Sequence, residues 1–355
     1  MSGSRASSAD SASARSWWSS TNSTRMRRGS AVIGRDRDPS SRRLSWIARA
    51  VARRRASRLP FARAYRGPRP CNTRGVRLAI LGLGLIGGSV GRAAVRGGFD
   101  VRAWTPSGDG PRAAERDGIE PAPSLAAAVH DADIVMIAAP PLAAIDLVDA
   151  LGGRGQELGR DAVVTDVVST KTAIVDRART HGLRFVGGHP LAGRETTGYQ
   201  AADADLFRDR PWVIVPPEPT DDEAVGRVET LVAACGGRPI QMTAAAHDRA
   251  VAAISHLPLL VSAALAEAMT DEADWETAAT LAAGGWASMT RLAHGDPEMG
   301  AGILATNRDE VIPRLDALVA RLAAWRSDLV TREPADRARA RLAIARDRLS
   351  RDGDA

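Results

Sequence analysis

Between Val76 and Ser89 an apolar run, Leu78 to Leu81, ends in glycines at 82, 84 and 87, and a helical apolar pattern follows to about Arg96. This spacing predicts strand, tight turn and helix. Gly82 allows the turn, Gly84 lets a pyrophosphate come close to the backbone, and Gly87 lets the helix pack on the strand. The helix N-terminus offers free N–H groups and partial positive charge to an anion. Gly82, Gly84, Leu85, Ile86 and Gly87 are therefore predicted to form a dinucleotide site. A glycine-rich turn without a ligand is the competing reading, and the context on both sides argues against it.

Gly97-Gly98 stops the helix, and Asp100 to Trp104 is predicted as the second strand. The acid that often follows such a strand, to hold the adenosine ribose, is replaced by Thr105-Pro106-Ser107. No arginine sits at the strand end either, so NAD is expected with NADP possible. Thr105 and Ser107 are candidates for the cofactor's adenosine side, and Ser107 with Arg112 can receive a phosphate. Ser124 is a candidate N-cap for a short helix to His130. Asp133 to Ala139 is a buried strand whose turn, Ala139-Pro140, is a further cofactor candidate. More strands are expected at Ala162 to Thr165, Arg184 to Gly187 and Pro211 to Val215. Strand and helix alternate to about Met242, which predicts a parallel sheet with crossover helices.

From Ala244 to about Leu349 the apolar spacing is helical, starting with a helix over Ala246 to Thr270. The fold class is α/β: a Rossmann-like dinucleotide-binding domain over 75–243, then an all-α domain over 244–350. The apolar content of the helices exceeds what one small bundle hides, which points to a homodimer.

The net charge of +6 conceals two unlike parts. Residues 1–74 hold 18 Arg and 3 Asp, a charge of +15, while the remainder holds 30 basic and 39 acidic residues, a charge of −9. The Arg/Ser-rich stretch offers little apolar surface, so disorder is expected. It fits electrostatic nucleic-acid binding, a transit peptide, or a translated stretch without function. The last is favoured, so nucleic acid is not expected as a partner. No apolar run approaches the roughly 20 residues of a membrane span. Cys71 and Cys235 make neither a disulfide framework nor a metal set, which suits a reducing cytoplasm.

Chemistry-bearing residues gather after the later strands. Asp166 is followed by Ser169, a candidate helix N-cap, and by Lys171, the one lysine among 48 basic residues. A lysine kept under such arginine bias suggests a site where an ammonium works and a guanidinium does not, with a structural ion pair to Asp166 as the alternative. His189 lies in a loop at a strand's carboxyl end, where an imidazole can exchange a proton near neutral pH. His256-Leu257-Pro258 falls in the first helix of the second domain, and the proline should kink it. Arg291 follows the Gly284-Gly285 break, and its planar fork suits a carboxylate. No metal-ligand cluster is present, and none is expected.

Together these segments resemble the prephenate/arogenate dehydrogenase family. The matching pieces are the Gly82–Ser89 loop, Asp166/Ser169/Lys171, the run from Gly188 to Gly193 with Glu195, His247-Asp248 with Ser255 to Pro258, and Thr290 to Ala293 with Asp296-Pro297 and Asn307. The resemblance implies a dimeric enzyme of tyrosine biosynthesis that oxidises and decarboxylates prephenate to 4-hydroxyphenylpyruvate with a nicotinamide cofactor. It implies that His189 accepts the ring hydroxyl's hydrogen bond or proton, with Ser169 beside it. Arg291 would hold the substrate carboxylate, with His256 in the pocket and Glu195 at its mouth; Lys171 is grouped with these substrate-side residues. Two departures bear on the pocket's specificity: Leu259 stands where a second histidine is usual, and Val168 where a glycine is. Competing functions are another dehydrogenase of this architecture acting on a hydroxy acid or imine, and a nucleotide-sensing regulator.

Overall fold

The computed structural model describes residues 73, 75–153, 158–159, 161–194 and 196–353. The expectations for the Arg/Ser-rich stretch and for Glu195 fall outside them. Two units divide the chain, Ser57–Asp347 and a second made of its ends, Met1–Ala56 with Arg348–Ala355. The architecture below belongs to the first.

Its centre is an eight-stranded sheet with strand order β3-β2-β1-β4-β5-β6-β7-β8. The strands are β1 (Arg77–Leu81), β2 (Asp100–Trp104), β3 (Ile119–Pro121), β4 (Ile134–Ile137), β5 (Val163–Asp166), β6 (Phe185–Pro190), β7 (Pro211–Val215) and β8 (Arg238–Gln241). Helices α1 (Leu85–Arg96), α2 (Asp109–Ala114), α3 (Leu125–Val129), α4 (Pro141–Gly152), α5 (Thr172–Thr180) and α6 (Asp222–Ala234) join them. The middle strands are apolar throughout because both faces are covered. Their alternate residues enter two cores. Leu78, Ile80, Ile134 and Met136 pack with Val90 of α1 and Val228 of α6. Ala79, Leu81, Val135 and Ile137 pack with Val148 of α4 and Ile174 of α5. Ser124 caps α3, its hydroxyl accepting from Ala127 N at 3.1 Å.

Six strands are parallel, as the alternation predicts, but β7 runs antiparallel to β6 and β8 follows β7. The uniformly parallel sheet is corrected here. Among its described residues the 191–210 connection has a short 3-10 turn, Tyr199–Ala201, and no crossover helix. A chain leaving the carboxyl end of β6 without a crossover enters its neighbour in reverse. The pairing also corrects the placement of His189: it lies in β6, opposite Val213, rather than in a loop.

After β8, Thr243 caps α7 (Ala244–Val251), a π-helical turn follows over Ala252–His256, and α8 (Leu257–Thr270) continues the helix. The expected kink at Pro258 becomes this wide turn. It places proline in the first turn of α8, where a missing N–H costs little. The merged helix Ala244–Thr270 has 27 residues, and its most apolar window has a mean hydropathy of 1.6. It has the length and apolarity of a membrane span, which corrects the expectation that no run approaches one. Beyond it lie α9 (Trp275–Ala279), α10 (Gly284–Thr290), a 3-10 turn over Arg291–His294, α11 (Pro297–Thr306) and α12 (Arg308–Leu329).

Gly82 has φ +106°, and a Cβ there would stand 2.2 Å from the Ala138 carbonyl oxygen. Around Gly84 a Cβ would meet nothing within 4 Å. Gly82→Ala should therefore destabilise the fold by about 2–4 kcal/mol. Gly84→Ala should cost no more than about 1 kcal/mol. Urea unfolding of the two variants beside the parent measures both.

Candidate active site

The carboxyl ends of β1, β2 and β4 meet at the glycine turn. Gly82 N donates to Trp104 O at 2.9 Å, and Ala138 N to Leu81 O at 2.7 Å. Gly84 is the N-cap of α1, with no side chain capping the helix. The first-turn N–H groups thus remain available, above a residue with open space around it. That is the cradle a pyrophosphate needs. Leu85 is buried beneath the turn and Ile86 is half-buried. Ala139 and Pro140 are half-buried at the end of β4, with Pro140 as N-cap of α4. Thr105 turns inward, its hydroxyl accepting from Gly108 N at 3.1 Å, while Ser107 is exposed. Arg112 donates to Asp109 at 2.6 Å and to the Ser107 carbonyl at 3.2 Å. The arginine that could receive a phosphate is therefore already matched with a carboxylate.

At the next strand end, the Asp166 carboxylate accepts from Gly188 N and Val168 N, each at 2.9 Å, and from the Lys171 ammonium. Both side chains of this pair are 0% exposed. Burial pushes the carboxyl up and the ammonium down, and their mutual attraction opposes both shifts. Lys171 is thus a structural ion-pair residue, and its grouping with the substrate-side residues is corrected: its ammonium is taken up by the Asp166 carboxylate. Gly188 is required beside it, since a Cβ there would stand 2.3 Å from the Asp166 carbonyl oxygen. The pair therefore ties the end of β5 to β6 one residue before His189.

His189 is half-buried, and its Nδ1 lies 2.8 Å from His247 Nε2. His247 Nδ1 lies 2.8 Å from Asp248 Oδ1, and both residues are buried on α7. The Asp248 carboxylate also accepts from Lys171 N and Thr172 N, at 2.8 Å each. These two N–H groups open α5, so Asp248 caps that helix from 77 residues away. Ser169 is consequently not the cap; it sits half-buried in the loop that Asp248 anchors. Hydrogen bonds from His247 and from both backbone groups hold the Asp248 carboxyl below its ordinary range, although burial opposes them.

A second arm leads to His256, which is 1% exposed. Asn307 Nδ2, at the end of α11, lies 3.0 Å from both the Asp248 carbonyl oxygen and His256 Nδ1. Hydrogen bonds thus join His189, His247, Asp248, Asn307 and His256, with the backbone of Lys171 attached. Arg291 opens the exposed 3-10 turn packed on α8, where Ala293 N donates to Ser262 Oγ at 3.1 Å. His247, Asp248 and Asn307 carry no predicted role in the sequence reading. The available signal was an acidic residue next to histidine inside an otherwise apolar helix.

The arrangement holds an uncharged imidazole at the carboxyl end of β6, in the sheet whose β1 ends in the glycine cradle. Burial first, then the charges of His247, Lys171 and His256, push the His189 imidazole well below 6.5. Burial pushes His256 to about 4, against the pull of Asp248. As pH falls below 6.5, unfolded His256 takes up a proton that the folded site refuses, so stability falls with it. Between pH 6.5 and pH 5 the parent should lose about 2 kcal/mol more than His256→Gln does. Urea unfolding at the two pH values checks this.

Comparison with known proteins bears on the whole site. Residues 109–241 match the nucleotide-binding domain of prephenate dehydrogenase, and residues 243–342 match its dimerization domain. Residues 40–146 also match the NAD binding domain of D-isomer specific 2-hydroxyacid dehydrogenases. The chain is 32% identical over 252 residues to prephenate dehydrogenase of Bacillus subtilis, covering 67% of this chain and 66% of that one. It thus spans just under two thirds of that relative's length. Among solved structures, the Synechocystis arogenate dehydrogenase is 30% identical with a TM-score of 0.65, covering 78% of this chain and 99% of that one. The A. aeolicus prephenate dehydrogenase, in complex with hydroxyphenyl propionate and NAD+, is 24% identical and shares the fold with a TM-score of 0.70, over 79% of this chain and 99% of that one. The two prephenate dehydrogenase matches follow one another from 109 to 342, across His189 and the His247–Asp248 pair, and the chain belongs to the prephenate dehydrogenase family.

Proposed function

We propose that this chain oxidises and decarboxylates prephenate to 4-hydroxyphenylpyruvate, a step of tyrosine biosynthesis, as a cytoplasmic homodimer. The observation that carries the reading is the His189–His247–Asp248 chain at the carboxyl edge of a dinucleotide-binding sheet. NAD+, bound over Gly82, Gly84 and Gly87, would supply the hydride acceptor. The Asp109 partner of Arg112 favours NAD over NADP, because a 2′-phosphate would have to displace a carboxylate.

Prephenate carries a hydroxyl on the ring carbon that gives up hydride, and two carboxylates. His189, neutral at physiological pH, takes the hydroxyl proton as hydride departs. His247 and Asp248 steady the ring while it becomes charged. Carbon dioxide then leaves and the ring becomes aromatic, so the residues need only hold the substrate. Arg291 would grip a carboxylate with its two-pronged fork, from the segment packed on α8. His256 and Ser169 would line the pocket. The match of 243–342 to a dimerization domain supports the homodimer. So do apolar side chains exposed on the helices, among them Ile254, Leu281 and Met289.

Arogenate is the second reading, favoured by the likeness to the arogenate enzyme. A steady-state assay crossing prephenate and arogenate with NAD+ and NADP+ tests both, with prephenate and NAD+ expected as the preferred pair. Failure of every pair would reject the reaction. His189→Asn should lose about 10²- to 10⁴-fold in kcat while keeping NAD+ affinity, measured by titration alongside turnover. Arg291→Lys should raise KM for the substrate, and Arg291→Ala should raise it about 10- to 100-fold, with cofactor affinity unchanged. Normal KM in both variants would move the carboxylate site elsewhere.

A further inference from the structure

Proton positions at both site histidines follow from what their partners can donate. The Asp248 carbonyl oxygen can only accept, so the Asn307 atom 3.0 Å from it is the amide nitrogen. The same nitrogen lies 3.0 Å from His256 Nδ1. Its second hydrogen points there, and Nδ1 must be bare. A neutral His256 then carries its hydrogen on Nε2 and offers a donor. The amide cannot be turned over, because its oxygen would face the carbonyl.

The other arm gives the opposite result. The Asp248 carboxylate, which already accepts two backbone N–H groups, takes the hydrogen of His247 Nδ1. A neutral His247 therefore has a bare Nε2, and the 2.8 Å contact to His189 requires the hydrogen on His189 Nδ1. His189 Nε2 is left as an acceptor. One buried residue, Asp248, thus serves both arms, through its side chain toward His189 and through its backbone oxygen toward His256.

We infer that Asn307 and the His247–Asp248 pair are positioning residues that hold His189 and His256 in opposite tautomers, one an acceptor for a hydroxyl proton, the other a donor to an oxyanion of the same substrate. The inference rests on the proposed reaction only for its use; the tautomers are a property of the protein itself. They fit a substrate that presents a hydroxyl at the reacting carbon and a carboxylate or keto oxygen at a second point. They also exclude a swap of roles between the two histidines.

The test is a long-range proton–nitrogen correlation spectrum of the full chain, labelled with 15N-histidine and saturated with NAD+ at pH 7.5. The chain has 6 histidines, which single His→Gln variants assign. The expected result is the Nδ1–H form for His189 and the Nε2–H form for His256. The reverse form at either ring, or a doubly protonated His247, would overturn the inference whether or not prephenate is the substrate. Asn307→Asp then reads the function, since a carboxylate can only accept from His256. That ring should switch to Nδ1–H, and KM for prephenate should rise at least about tenfold with NAD+ affinity unchanged. A switched ring with unchanged KM would remove the donor role. If the variant does not fold, the spectrum of the parent decides.

Discussion

The site depends on one buried carboxylate. Asp248 is 2% exposed and satisfies three donors: His247 and the two N–H groups that open α5. Together these bonds link two parts of the machinery. The bond to His247 fixes the imidazole chain that ends at His189. The bonds to Lys171 N and Thr172 N fix the loop carrying Ser169. An ionised carboxylate is costly to bury, and charge-assisted bonds together with the helix N-terminus offset that cost. Removing it would leave three donors without their acceptor and an unanchored loop, so loss of activity and loss of structure would arrive together.

A second buried charge does related work without touching the reaction. The Asp166–Lys171 pair binds the end of β5 to Gly188 and so sets where β6 presents His189. Burying such a pair brings little net stability, because desolvation consumes most of the attraction. Its value lies in geometry: the close approach demands glycine at 188 and an ammonium on a slender stem at 171. This accounts for the single lysine of the chain better than a substrate contact does. The two networks meet at Lys171, whose backbone N–H belongs to Asp248 and whose side chain belongs to Asp166.

Local chemistry was legible in the sequence, and long-range geometry was not. The turn at Gly82–Gly87, the apolar strands on either side and the cap at Ser124 each follow from a few neighbouring residues. The reversal of β7 depends on a connection that lacks a helix, which an alternation pattern does not weigh. Ser169 looks like a helix cap because it is a serine just ahead of a helix. The actual cap comes from Asp248, 77 residues along the chain. Lys171 stood out by its rarity, but rarity does not distinguish a ligand from an ion pair; the fold does. Asn307 joins His256 only because α12, which follows it, packs on the π-helical turn, a contact no local pattern encodes.

The central claim is that a neutral His189 receives the proton as hydride leaves. The pH dependence of the single-turnover rate of NADH formation, with saturating prephenate and NAD+, addresses it most directly. Because burial holds the His189 imidazole well below 6.5, the rate should be level from about pH 6.5 to pH 8.5 and decline only on the acid side. A rate that climbs steadily through pH 7 to 8 would show that a different, higher-titrating group takes the proton, and would contradict the account.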